Sequence, residues 1–223
     1  MATATTIRLW DWPVRLSHWL FAALVPALWL SAESGKLDLH KQLGLVMLAV
    51  VAFRLGWGLV GSAPARFASF LAGPRRVLAY WRGGGEWHGI GHNPLGGWSV
   101  VVLLGLLAGQ VALGLICEDS DGLESGPLNH YVSYEVAALA RAGHHAGFKA
   151  LAVLVLVHLA AIAWYRLRRG ENLVTPMLTG RRSFAEAVAQ PRMAPAWRAL
   201  VLAGLAVALA WWVGQGAPLG PAA

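Results

Sequence analysis

The sequence predicts an all-α integral membrane protein, and three observations lead to that class. Of 223 residues, 57% are apolar and 13% charged, and the mean hydropathy is +0.53, outside the range of soluble globular chains. Five apolar stretches, 15–32, 41–60, 98–117, 146–167 and 196–213, are each long enough to cross a hydrocarbon core about 30 Å thick as a helix. Histidines sit within or at the edge of three of these stretches, and an intramembrane ionisable residue is a functional hypothesis by default. Five spans in a chain of this length leave room for one bundle with short loops and no second folded domain.

The first stretch is the shortest and carries Pro26, tolerable in mid-helix where neighbouring helices satisfy the freed carbonyl. The opening MATATTIRLWDWPVRLSHW lacks the compact basic start and the cleavage site of a signal peptide. It also carries His18, a polar residue that a disposable segment does not need, so the first span is expected to be retained. His40 opens the second span and Arg54 lies inside it. The following segment, PARFASFLAGPRRVLAYWRGGGEWHGIGHNPLGG, interleaves aromatics and Leu with Arg, as suits a chain lying along anionic headgroups. Its triple glycine at 83–85 reads as a flexible break and not as a phosphate loop.

The third span, WSVVVLLGLLAGQVALGLIC, has no charge at all. After it comes a loop, 118–143, that opens with Glu118, Asp119, Asp121 and Glu124. Such a loop either docks a basic soluble partner through complementary fields or is simply solvated. The fourth span carries His158; the fifth, AWRALVLAGLAVALAWW, has no histidine and suggests packing or docking. Cys117 is the single cysteine and is expected as a free buried thiol. It excludes an internal disulfide, a C-x-x-C-H covalent haem site and a four-cysteine cluster within this chain.

The basic residues set an orientation. The N-terminus, the 61–97 loop and the 166–198 segment hold thirteen Lys and Arg, while Lys36, Lys41, Arg141 and Lys149 make up the opposite group. The positive-inside rule then puts the N-terminus in the cytoplasm and the C-terminus outside. An isoelectric point near 10.3 therefore marks a cytoplasmic face, and nucleic-acid binding is not expected.

His144 and His158 are fourteen residues apart, close to four helical turns, so both project from nearly one face about 21 Å apart along the axis. With the N-terminus inside, the depths pair His18 with His158 toward the cytoplasm and His40 with His144 toward the outside. A lone intramembrane histidine is as well explained by a hydrogen bond to a neighbouring helix; four at complementary depths favour ligation. Imidazole suits haem iron, and two axial histidines leave no position for oxygen or substrate, so the work of such an iron is electron transfer. The residues thus read as two bis-histidine b haems. His145 competes with His144, but it is offset from His158 by about 140° against about 40° for His144. His88, His92 and His130 fall in loops, where structural roles are the default, with His92 the one to watch.

Gly44, one turn after His40, and the ridge of Gly105 and Gly109 suit either a flat cofactor or ordinary helix packing. Arg54, fourteen residues after His40, lies on nearly the same face toward the inner haem. It either binds a haem propionate or snorkels to the headgroups.

Six segments together resemble one family: WDWPVRLSHW at 10–19, HKQLG at 40–44, FRLGWGLVG at 53–61, GHNPLGGW at 91–98, GPLNHYVS at 126–133 and RRGENLVTPMLTGRR at 168–182. In this order they resemble the bacterial cytochrome b561 and nickel-hydrogenase b-type cytochrome family. The resemblance implies a four-helix haem-binding bundle, here with a fifth C-terminal transmembrane helix. It implies two non-covalent b haems with axial ligands at His18, His40, His144 and His158. Residues 1–182 are then the di-haem cytochrome b domain, and 183–223 a linker and fifth helix with a short periplasmic tail.

The family passes electrons between a partner on one side of the membrane and quinone within it. Its partners include hydrogenases, c-type cytochromes and other periplasmic redox proteins. The resemblance therefore implies an electron-transfer subunit of a respiratory chain in the bacterial inner membrane, with no catalytic residue of its own. Arg15, Trp19 and the inner-loop aromatics are candidates to line a quinone site. Two other classes compete. One is a self-contained quinone-linked oxidoreductase acting on a small redox substrate such as superoxide, against which the acidic outer loop weighs. The other is a histidine-lined metal transporter without haem, against which the lack of intramembrane carboxylates and Met clusters argues.

Overall fold

The computed structural model describes residues 5–83, 89–119 and 121–218. His88, with Gly84 and Gly85 of the triple glycine, lies outside the described residues. In chain order the elements are β1 (Thr5–Arg8), α1 (Trp12–Glu33), α2 (Leu37–Val60), a 3-10 turn at Ala63–Ala65, α3 (Phe67–Phe70), α4 (Pro74–Gly83) and α5 (Pro94–Ile116). There follow a 3-10 turn at Asn129–Tyr131, α6 (Tyr134–Arg168), α7 (Val174–Thr179), β2 (Arg181–Phe184) and α8 (Ala196–Gly214). Five of them, α1, α2, α5, α6 and α8, are long and apolar enough to cross a membrane, so the chain is a multi-pass helical membrane protein.

The helices extend the five apolar stretches, and the largest difference is at α6. It begins at Tyr134 and runs for 35 residues, so the expected loop through 143 is helical in its last part. YEVAALARAG is rich in good helix formers, and Glu135 in the first turn favours the helix N-terminus. Its charges kept it below any hydropathy threshold, which measures lipid solubility and not helicity. His144 accordingly lies inside α6, ten residues after its first residue.

Contacts divide the chain into two compact units. One comprises Met1–His18, Arg54–Leu103 and Val155–Leu200; the other comprises Trp19–Phe53, Leu104–Leu154 and Val201–Ala223. In the first unit, β1 and β2 pair antiparallel from Thr5 opposite Phe184 to Arg8 opposite Arg181. Asp11 precedes α1 and accepts the Val14 N–H at 3.0 Å, with Pro13 in the first turn. The other Asp11 oxygen accepts Trp57 Nε1–H at 3.0 Å, tying α1 to the buried end of α2. Gly180, at φ +80°, closes α7 and accepts the N–H groups of Leu9 (2.8 Å) and Trp10 (3.1 Å). A Cβ there would stand 2.7 Å from the Trp10 carbonyl, so both conformation and space require glycine. Arg15 donates to the carbonyls of Met177 and Leu178 near the end of α7. Two of the motifs that carried the resemblance are thus bound to each other. α4, with none of its residues buried, carries Arg75, Arg76 and Arg82 beside exposed Leu78 and Trp81.

In the second unit, α1 ends in a left-handed glycine, Gly35, with Lys36 N–H on Ser31 O (2.9 Å) and Gly35 N–H on Ala32 O (3.0 Å). This tight reversal leads directly into α2. The loop after α5 folds back on that helix: Gly126 N–H donates to Cys117 O and Leu128 N–H to Leu115 O, and Asn129 Nδ2–H donates to Ile116 O at 3.0 Å. Glu124 is ion-paired with Lys41, and Asp119 accepts the Leu123 N–H at 2.9 Å, while Asp121 is exposed. Tyr131 O–H donates to Ala217 O at 2.8 Å, holding the end of α8 to the same loop.

Candidate functional site

The second unit brings His40 and His144 together, ring centroids 6.1 Å apart and planes at 83°. His40 Nδ1 lies 2.9 Å from the Leu28 carbonyl, with Ser31 Oγ at 3.5 Å. His144 Nδ1 lies 2.9 Å from the Gln110 carbonyl. A carbonyl only accepts, so each Nδ1 carries the proton, and in the neutral ring Nε2 is left with a free lone pair. Gln110 returns a bond from Nε2–H to His144 O at 2.9 Å, so α5 and α6 are cross-linked twice at the ligand candidate. Gly114 makes room for the ring: a Cβ there would stand 3.1 Å from His144 Cε1. Gly147 does the same for the Gln110 side chain, at 3.2 Å from its Cδ. His145 is exposed.

The first unit brings His18 and His158 together, centroids 6.5 Å apart and planes at 54°. Arg54 belongs to the same unit and is 5% exposed, so it does not snorkel. Its guanidinium lies over the Phe67 ring, 5.6 Å from the centroid. Nη1 of Arg54 is buried without a hydrogen-bond partner among the described residues. His92 packs between Trp10 (4.7 Å) and Phe70 (4.8 Å), and its buried Nδ1 likewise has no partner among the described residues. Burial, with Arg54 and His158 close by, pushes the His92 imidazole down to about 4, so the ring is neutral at physiological pH.

Distances test what the paired rings fit. Metal to imidazole nitrogen is about 2.0–2.1 Å and ring centre to nitrogen about 1.1 Å, so two rings across one metal stand about 6.3 Å apart. Two directly hydrogen-bonded imidazoles stand closer, at about 5.2 Å. An edge-to-face pair spans both values, at about 4.5–7 Å. In the His40–His144 pair the tautomers add a second criterion. Each unprotonated Nε2 is an acceptor, so neither can bond the other through that nitrogen. A cation between them satisfies both.

Among the described residues there is no group of three or more His, Cys, Asp or Glu that could hold a metal ion. Two imidazoles are too few for a bare ion, which commonly takes four ligands. They suit an iron whose other four positions are filled by a porphyrin. A built Cβ on Gly44, Gly105 or Gly109 meets no atom within 4 Å, and Gly105 is exposed, so these glycines are not forced by a neighbouring side chain. The residues fit haem.

Other expectations fall elsewhere. The Arg15 guanidinium is engaged with α7, and Trp19 is exposed. His130 is exposed and stacks on Tyr131 at 4.1 Å. Sequence reasoning missed Gln110, Gly114 and Gly147. Gln110 had a visible signal, a lone amide in an otherwise apolar span, whereas the two glycines had none that distinguished them from packing glycines.

A membrane-embedded helical bundle with imidazoles paired at metal-bridging distance is the scaffold of a membrane cytochrome. The family model described as prokaryotic cytochrome b561 matches residues 9–180, and the chain belongs to that family. It is a b-type membrane cytochrome acting in electron transfer. No curated protein and no solved structure matches it.

Proposed function

We propose that the protein holds two b haems, one between His18 and His158 and one between His40 and His144, and conducts electrons between a periplasmic redox protein and quinone. The observation that carries this reading is the separation of both ring pairs, 6.5 and 6.1 Å, at the value expected across a single metal. When bound, each haem would supply a one-electron iron couple, held by His18 and His158 or by His40 and His144. The Leu28 and Gln110 carbonyls hold the outer imidazoles in the tautomer that presents Nε2, and these second bonds orient the rings and raise their basicity. Arg54 offers the inner haem a buried cation for a propionate. α6 contributes one imidazole to each pair. Charge distribution supports an N-terminus in the cytoplasm of a bacterial inner membrane, and exposed Asp121 beside Asp119 and Glu118 supports a basic partner outside.

The test is a reduced-minus-oxidised spectrum of purified protein, with haem quantified per chain and reduction by a soluble quinol followed in time. Two low-spin b haems per chain, with His158→Ala losing one, are expected. One haem per chain, or two that both survive His158→Ala, refutes the pairing.

A further inference from the structure

We infer that His92 and Arg54 together form the binding site for a propionate carboxylate of the inner haem. The inference rests on the two-haem reading above. Both side chains end in a buried nitrogen with no hydrogen-bond partner among the described residues, Nδ1 of His92 and Nη1 of Arg54. Both belong to the unit that contains the His18–His158 pair, and a run of ring contacts joins them: Arg54 lies over Phe67 at 5.6 Å, Phe67 meets Phe70 at 5.9 Å and Phe70 meets His92 at 4.8 Å. Leaving a buried polar nitrogen unpaired costs about 1–3 kcal/mol, more for a charged group, so the Arg54 cation and, in its Nδ1–H tautomer, His92 within one unit point to a shared acceptor.

Asp11 is not that acceptor, although its charge is felt by Arg54. Its oxygens accept from Val14 N–H and Trp57 Nε1–H, and Arg54 Nη1 makes no hydrogen bond to them. A cationic donor beside a neutral N–H suits a carboxylate, which accepts at both oxygens. His92 is held for this role by aromatic faces on two sides, Trp10 and Phe70, neither of which competes for its N–H. Sequence position hides the arrangement: His92 lies in the loop before α5, thirty-eight positions after Arg54 and with no haem-ligand spacing to any other histidine.

The test uses the purified holoprotein. His158→Ala first identifies which low-spin signals belong to the inner haem. His92→Phe keeps an aromatic ring in the slot but removes the donor; His92→Asn restores an amide N–H near the Nδ1 position. A hydrogen-bond donor offsets the carboxylate's negative charge, which favours the more positive oxidised iron. Its loss should lower the inner midpoint potential. His92→Phe is therefore expected to retain two haems, to shift the inner haem's midpoint potential downward and to move its propionate bending band in resonance Raman spectra. The outer haem should be unchanged, and His92→Asn should return both inner readouts toward wild type.

An unmoved potential and band in His92→Phe overturns the assignment. So does an unmoved band with slowed quinol-driven reduction, which gives the donors to a quinone carbonyl instead. If His92→Phe does not assemble, Arg54→Lys decides: a moved inner propionate band supports the site and an unmoved one overturns it. A wild-type protein with no inner haem fails earlier, at the haem count, and overturns the two-haem reading itself.

Discussion

Gly114 is where a single methyl group should tell most about the outer haem proposed between His40 and His144. A Cβ at this position stands 3.1 Å from Cε1 and 3.4 Å from Nδ1 of His144. Comfortable carbon contacts begin at about 3.5–4.0 Å, so the shortfall is about 0.4–0.9 Å. The ring has little freedom to yield, because Nδ1 is fixed on the Gln110 carbonyl at 2.9 Å. Metal–ligand distances tolerate only about 0.2 Å. Overpacking of this kind costs about 1–3 kcal/mol, which corresponds to about a 5- to 150-fold loss of outer-haem affinity in Gly114→Ala. Gly114→Leu should abolish that haem. The assay is haem per chain and the low-spin electron paramagnetic resonance signals across the Gly, Ala, Leu series, with circular dichroism to verify folding. Gly105→Ala is the control, since no atom lies within 4 Å of its built Cβ. A Gly114→Leu protein with both haems at wild-type occupancy and an unaltered outer signal would refute the placement of His144.

Three further outcomes are expected. Asp11→Ala strands the Val14 N–H and the buried Trp57 indole N–H, at about 1–3 kcal/mol for each unpaired donor. Thermal melting in detergent checks it, and a melting temperature equal to wild type contradicts the argument. Gly44→Leu should cost the outer haem without unfolding the chain, because its built Cβ meets no protein atom within 4 Å; full haem retention would return Gly44 to an ordinary helix position. Burial pushes the Cys117 thiol up, and the thiolate is the reactive species. Maleimide should therefore label the folded protein slowly at neutral pH, with the rate still rising above the ordinary thiol range. Equal labelling rates for folded and denatured protein would contradict that reading.

The spans and the class of protein were legible in the chain because hydropathy and the 3.6-residue repeat are local properties. His144 and His158 share a face of α6 by arithmetic alone, whatever packs against it. The start of α6 at Tyr134 was not legible, since charged residues lower hydropathy without opposing a helix. The β1–β2 pairing joins Thr5 to Phe184, and nothing in four residues names a partner so distant. Only the tertiary structure decided which carbonyls hold Nδ1 of His40 and His144, and which glycine clears space for the latter ring. It also placed the loop residue His92 against Trp10 and Phe70 with its Nδ1 buried. The sequence alone determines what a segment is soluble in and which way its side chains repeat. Hydrogen-bond partners and steric clearance depend on atoms that meet only when distant segments pack, and they were decided by the fold.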